Sequence, residues 1–194
     1  ASVSRSVQQP YQHFEEDLHG TVRLLECLRC HSPETRFIFT SSAAVYGNPV
    51  RLPMSETDPT DPISPYGVAK LSIERYCSVY SQLYHLNNAS IRPFSIYGPR
   101  QENLLVYDLI KKLTDNPHKL TMFGTGTETR DFIFIKDVAR SIVKILENGP
   151  LEGEVYNVAT GTPHTTLQVA RLIAKLLKVD PEFTFTKTIR SGEP

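Results

Sequence analysis

Short apolar runs with strand character alternate with amphipathic stretches of helical length along nearly all of this 194-residue chain, and that alternation restricts its fold more than any other feature. Arg36-Phe-Ile-Phe-Thr40 reads as one strand and Ser90-Ile-Arg-Pro-Phe-Ser-Ile96 as another, with further short strands at Leu120–Phe123, Phe132–Ile135 and Val155–Ala159. Helices are expected over residues 11–30, from Pro65 to about His85 with Ala69, Ile73, Tyr76, Cys77 and Tyr80 buried, and over Asn103–Thr114, Asp137–Glu147 and Leu167–Leu177. Strands separated by helices of this length imply an α/β fold on a mainly parallel sheet. The proline-rich stretch Pro49–Pro65 reads as a long loop.

Composition excludes several classes of function. The net charge is zero and no run of Lys or Arg exceeds two, so the basic footprint that nucleic acid requires is not expected. No apolar stretch approaches the roughly 20 residues that span a bilayer, and no signal peptide opens the sequence, so a cytoplasmic protein without a membrane partner is expected. Cys27-Leu-Arg-Cys30-His31 matches a haem-attachment pattern and a dithiol pair. Val22, Leu24, Leu25 and Leu28 give that stretch a buried helical face, on which Cys27 or Cys30 is expected to serve as a small apolar residue. No metal site is expected.

One constellation carries chemistry. Tyr66-Gly-Val-Ala-Lys70 follows Ser41-Ser42, which closes the first strand 24 residues before the tyrosine. Residues at i and i+4 share a helix face, so Lys70 is expected beside Tyr66. A phenol titrates near 10, and using it as a base near neutrality means lowering that by roughly three units, about 4 kcal/mol; a neighbouring ammonium is expected to supply much of this. The spacing alone is weak. Tyr107-Asp-Leu-Ile-Lys111 repeats it, without a serine-bearing strand ahead, on a segment where Leu105, Leu109, Ile110 and Leu113 indicate an ordinary amphipathic helix. Tyr66 differs by context: Ser64 can cap a helix whose first position is Pro65.

With Arg92-Pro-Phe-Ser-Ile-Tyr-Gly-Pro-Arg100 and Phe123-Gly-Thr-Gly-Thr-Glu-Thr-Arg130-Asp-Phe-Ile133 following in order, the whole chain resembles the extended short-chain dehydrogenase/reductase family. Within it, the chain is most similar to the NAD-dependent nucleotide-sugar epimerases and dehydratases, UDP-glucose 4-epimerase-like enzymes above all. The resemblance implies an incomplete Rossmann-like NAD-binding domain (residues 1–101 and about 131–160) and part of a smaller sugar-nucleotide-binding domain (102–130 and 161–194). It also implies a fragment, because the Gly-x-x-Gly-x-x-Gly turn that opens such proteins is absent from the sequence, and a fragment that is inactive and binds NAD weakly. Phe123-Gly-Thr-Gly126 does not replace that turn, since it leads into a β-rich segment instead of a helix.

By resemblance, Ser42, Tyr66 and Lys70 are catalytic, and Ser41, Tyr66, Lys70 and Pro93 hold the cofactor, NAD, with NADP still open. Ser42, Ser95, Asn103, Leu104, Phe123 and Arg130 would contact the sugar nucleotide, with Phe123 by the base and Arg130 on the diphosphate, where a planar guanidinium suits phosphate. Read without that pattern, Arg130 is a surface partner of Asp131. Dehydratases carry Asp-Glu after the catalytic hydroxyl residue, whereas this chain has Ala43-Ala44, which cannot transfer protons. The expected activity is therefore C4 epimerisation of a UDP-hexose through a transient 4-keto sugar. A 4-keto-sugar reductase or other sugar-nucleotide dehydrogenase or dehydratase stands as an alternative, and a non-catalytic sugar-nucleotide-binding or scaffold protein as another. The chain departs from the epimerase pattern at Pro93 and Ser95, where Tyr and Asn are usual, and at Asp17, where Asn is usual. A homodimer built through a four-helix bundle is implied by resemblance.

Overall fold

The computed structural model describes residues 2–188. Helix α1 (Val3–Gln8) precedes α2 (Pro10–His13), a π-helical segment (Phe14–His19) and α3 (Gly20–His31), and the backbone stays helical from Pro10 to His31. Then come β1 (Phe37–Thr40), a 3₁₀ turn (Ala43–Tyr46), α4 (Pro65–Tyr84), β2 (Asn88–Pro93), β3 (Ser95–Tyr97), α5 (Leu104–Asp115) and β4 (Lys119–Met122). The remaining elements are β5 (Thr129–Phe134), α6 (Ile135–Asn148), β6 (Glu152–Val158), β7 (Pro163–Thr165), α7 (Thr166–Leu177) and β8 (Glu182–Phe185). They form two compact units, residues 2–94 with 137–158 and residues 95–136 with 159–188.

The first unit carries a parallel sheet in the order β1-β2-β6. Its middle strand is buried at all six positions, as a parallel strand covered on both faces must be. Leu25, Phe39, Ile73, Cys77 and Leu86 form the core on one face, with Leu18, Leu28, Phe37 and Tyr80 packed against them. Helix α4 starts where the sequence indicates, Ser64 Oγ accepting from Gly67 N at 3.2 Å with Pro65 in the first turn. It stops at His85, whose left-handed φ of 56° turns the chain toward β2.

Three expectations need correction. The strand read over Ser90–Ile96 is two strands in different sheets. Pro93 has no N–H to continue a ladder, Phe94 N donates the last bond to Val158 O at 3.1 Å, and Ser95 begins a new pairing with β5. Cys27 and Cys30 are exposed, not buried, and Leu24 is 46 % exposed, because α3 meets the core only through the narrow stripe of Leu25 and Leu28. Tyr76 lies off the buried stripe of α4 and is 43 % exposed, whereas Ala69, Ile73 and Cys77 are buried as expected.

The stretch before α4 has no regular structure beyond turns, yet polar contacts hold it to the sheet. Arg92, on β2, donates to both Glu74 oxygens, from Nε at 2.9 Å and Nη2 at 2.6 Å, and to Tyr46 Oη at 2.8 Å and Glu56 O at 3.3 Å. Tyr46 Oη donates to Asn157 Oδ1 at 2.8 Å, Asn157 Nδ2 donates to Met54 O at 3.1 Å, and Asn157 N to Glu56 Oε1 at 2.7 Å.

The second unit has β5 between β3, parallel to it, and β7, antiparallel, and a separate parallel pair of β4 and β8. Leu109 and Leu113 of α5 pack with Leu120, Met122, Ala170, Ile173 and Ala174. Tyr107-x-x-x-Lys111 therefore lies on a helix that serves this core, with Lys111 exposed. Helix α7 opens with a capping box in which Thr165 Oγ1 accepts from Gln168 N at 3.1 Å and Gln168 Oε1 from Thr165 N at 2.8 Å. Strands β7 and β8, and helix α1, are too short to have been read from periodicity.

Candidate active site

Ser41, Ser42 and Pro93 lie at the carboxyl ends of neighbouring parallel strands, the edge at which open α/β sheets bind ligands. Ser41 N donates to Ile91 O at 2.8 Å, which carries the ladder one residue past β1. Ser41 itself is 2 % exposed and its Oγ has no hydrogen-bond partner among the described residues. Ser42 caps the 3₁₀ turn, its Oγ accepting from Ala44 N at 3.2 Å. Since that backbone amide occupies a lone pair, the hydroxyl proton of Ser42 is left to donate elsewhere.

Tyr66 comes to Ser42 because α4 starts against this turn. A Cβ at Gly67 would lie 2.8 Å from Ala44 O, closer than real Cβ atoms approach a backbone oxygen, so the second residue of Tyr-Gly-Val-Ala-Lys is glycine for contact, not for flexibility. Gly67→Ala is expected to push α4 off the turn, separate Tyr66 from Ser42 and cost about 1–3 kcal/mol as overpacking does; urea unfolding of the two chains checks it. A second anchor is Ser6 of α1, fully buried, which accepts from Tyr66 N at 3.0 Å and donates to Val3 O at 2.7 Å. Ser6 was not legible in the sequence, where α1 itself was not read.

The electrostatics differ from expectation. Burial pushes the Tyr66 hydroxyl above the ordinary phenol range, a hydrogen bond with Ser42 opposes this, and the Asp17 carboxylate adds to the upward push. The net shift is upward, against the lowering expected from Lys70. Its ammonium lies 3.4 Å from Asp17 Oδ2, 5.0 Å from the centroid of Phe39 and 5.6 Å from that of Tyr66, over the ring face. Helical spacing does place Lys70 beside Tyr66, but Asp17 holds its charge. The π-helical segment carries Asp17, and π-helical turns recur at functional sites. His13 completes the group: it is 3 % exposed, meets Tyr66 edge-on at 5.8 Å and approaches Asp17 with Nε2 at 3.3 Å. The i, i+4 spacing of His13 and Asp17 was the available signal for them.

The other five candidates lie in the second unit, on four separate elements. Ser95 opens β3 opposite Phe132. Asn103 precedes α5 without capping it through its side chain, and Leu104, 55 % exposed, has a left-handed φ of 68°, a strained backbone of the kind that clusters at ligand sites. Phe123 follows β4 and is half exposed, with Lys112 Nζ 5.5 Å from its ring centroid. It lines a cleft of about 360 Å³ with Lys112, Asn116, Lys119 and Thr121. Arg130 is on β5 opposite His164, while the Asp131 carboxylate accepts from Thr160 N, Thr160 Oγ1 and Gly161 N at 2.6–2.9 Å.

The amides of the Gly-Thr-Gly loop are already taken. Glu128 accepts from Thr125 N at 2.7 Å, Thr125 Oγ1 at 2.9 Å and Gly126 N at 2.9 Å, so its own carboxylate sits where a phosphate loop would hold its ligand. Burial pushes this carboxyl up, but the hydrogen bonds from Thr125 and Gly126 outweigh it and hold it down at about 2. A depressed carboxyl stabilises the fold above its unfolded value, about 4.3, and that stability is lost as pH falls toward 2. Thermal melts should therefore lose stability on acidification through this window, and Glu128→Gln should flatten that loss.

The model of the NAD dependent epimerase/dehydratase family matches residues 1–159. The chain is 36 % identical over 184 residues to an uncharacterized UDP-glucose epimerase of Bacillus subtilis, covering 95 % of this chain and 57 % of that protein. To the UDP-glucose 4-epimerase of Mycolicibacterium smegmatis it is 34 % identical over 188 residues, covering 94 % and 59 %. The crystal structure of a UDP-glucuronic acid 4-epimerase from Bacillus cereus, in complex with UDP-glucuronic acid and NAD, superposes with a TM-score of 0.88 at 35 % identity, covering 100 % of this chain and 62 % of that one. The chain thus spans about three fifths of the length of these relatives. The family match over residues 1–159 covers most of the chain, and on that ground this chain belongs to the NAD-dependent epimerase/dehydratase family.

Proposed function

We propose that this chain belongs to an NAD-dependent nucleotide-sugar 4-epimerase acting on a UDP-hexose. The observation that carries the reading is the meeting of the Tyr66 hydroxyl with Ser42 at the carboxyl edge of a parallel sheet, with Lys70 on the same helix face. Relatives named for UDP-glucose and UDP-glucuronate 4-epimerisation support the substrate class.

The residues present suit a dinucleotide. Ser41 Oγ is a buried hydroxyl at the sheet edge without a partner among the described residues, and Tyr66 and Lys70 offer a hydroxyl and an ammonium for ribose oxygens; Pro93 would line the same edge. NAD, when bound, supplies a reversible hydride acceptor for C4 of the sugar. Tyr66 takes the proton of the C4 hydroxyl and returns it to the ketone oxygen after the sugar has turned. Ser42, its Oγ oriented by Ala44 N, donates to the same oxygen and stabilises charge developing there. Ala43 and Ala44 can neither protonate nor deprotonate the sugar, so elimination of water has no acid or base at these positions. In the second unit, Ser95, Asn103, Leu104, Phe123 and Arg130 would bind the sugar nucleotide.

Two further features belong to the reading. Helix α4 exposes Val68, Tyr76, Val79 and Leu83, and Phe14 and Leu24 are exposed on the preceding helices, apolar surface suited to a homodimer. Three free thiols suit a reducing, cytoplasmic setting, and no described helix is long and apolar enough to cross a membrane. The test is to extend the chain to the length of its relatives and follow UDP-glucose by NMR in the presence of NAD. C4 inversion without net cofactor consumption is expected; stoichiometric reduction of NAD as the sugar is oxidised would point instead to a sugar-nucleotide dehydrogenase, and a folded protein without either reaction would sink the enzymatic reading.

A further inference from the structure

Behind Tyr66 a single carboxylate oxygen has two claimants. Asp17 Oδ2 lies 3.3 Å from His13 Nε2 and 3.4 Å from Lys70 Nζ. A charge-assisted N–H···O bond closes at about 2.7–2.9 Å, so neither partner holds this oxygen at full strength. Among the described residues, neither ring nitrogen of His13, nor this oxygen, makes a hydrogen bond of ordinary geometry. The group is withdrawn from water, with side-chain exposures of 3 % for His13, 12 % for Lys70 and 21 % for Asp17, and charges there interact more strongly than at the surface.

The consequence falls on Tyr66. An ammonium facing a carboxylate contributes little positive potential to a nearby phenol, and the carboxylate itself disfavours the phenolate. The charged groups that meet Asp17 from the helices packed on it are His13 of α2 and Lys70 of α4. Helix α3 turns Leu25 and Leu28 into the core beside Leu18, while Glu15 pairs with His19 and Glu16 with Arg5 of α1 at the exposed side. Phe39 of β1 offers Lys70 only a ring face.

We propose, building on the epimerase reading, that Asp17 is a positioning residue that holds the Lys70 ammonium over the Tyr66 ring, and that His13, on taking a proton from solvent, captures the shared oxygen and releases Lys70 to the tyrosine hydroxyl. The base is thereby weakened or strengthened by which cation Asp17 faces. A neutral amide at position 17 would give up this control, because it cannot hold an ammonium by charge.

The experiment uses the 194-residue chain labelled with tyrosine carrying ¹³C at Cζ, the Tyr66 resonance being assigned by its loss in Tyr66→Phe. Asp17→Asn is expected to lower the titration midpoint of Tyr66 by about one unit, while Asp17→Glu, which keeps the charge, stays near the parent. A parent-like midpoint in a folded Asp17→Asn chain overturns the proposal. If that variant does not fold, His13→Gln decides: acidification should shift the Tyr66 resonance of the parent, and the shift should vanish in the variant. No shift in the parent, or the same shift in both, overturns it. Neither readout involves turnover, so a missing epimerase activity would count against the proposed function and leave this result standing on its own.

Discussion

Tyr66→Phe, in a protein extended to the length of its relatives, is expected to lower kcat for C4 inversion by roughly 10²–10⁴-fold, the contribution of a positioned acid–base group. The variant loses one hydroxyl and little else. The ring keeps its edge-on contact with His13 at 5.8 Å, and the backbone amide keeps Ser6. Removing the hydroxyl gives up its hydrogen bond with Ser42, worth about 1 kcal/mol to the fold, so the thermal midpoint should move by only a few degrees. Product formation followed by NMR, beside a melt of each protein, separates the two effects. Turnover close to the parent's would remove Tyr66 from the chemistry and with it the reading of the whole cluster.

The largest loss of stability is expected from Glu74→Ala. Both members of the Arg92–Glu74 pair are 2–3 % exposed and joined by two parallel hydrogen bonds. Taking away the carboxylate leaves a guanidinium buried without its counter-charge, which costs about 3–5 kcal/mol and, at about 2–4 °C per kcal/mol for a chain of this size, should lower the melting midpoint by about 6–20 °C. Replacing both partners, as in Glu74→Leu with Arg92→Met, should cost much less, because no charge is then stranded. Arg92 also holds Tyr46 and the Glu56 carbonyl, so the single variant should free the segment around Met54 and Glu56 and speed its amide exchange. A single variant as stable as the parent would show that the pair is not what anchors this segment.

Much of this architecture follows from local pattern. The capped start of α4, the amphipathic faces of α5 and α7 and the buried run of β2 are stated by residues within one or two turns of each other, and periodicity reads such signals well. Where pattern failed, the cause was a partner distant in sequence. Ser95 leaves the sheet of β2 because it pairs with Phe132 of β5, and Leu24 is 46 % exposed because the elements that reach α3 meet it at Leu25 and Leu28. Glu74, a charged residue on a buried stripe, is explained only by Arg92, 18 residues on.

The candidate site divides in the same way. Residue order alone set Ser42, Tyr66 and Lys70 apart from the second Tyr-x-x-x-Lys, since one turn of helix places i and i+4 together and a serine-ended strand precedes only the first copy. The charge that Tyr66 experiences was beyond that reading. It depends on a π-helical turn that carries Asp17 to Lys70 and on a histidine buried beside them, and electrostatic effects depend on distance and burial, which only the folded chain supplies.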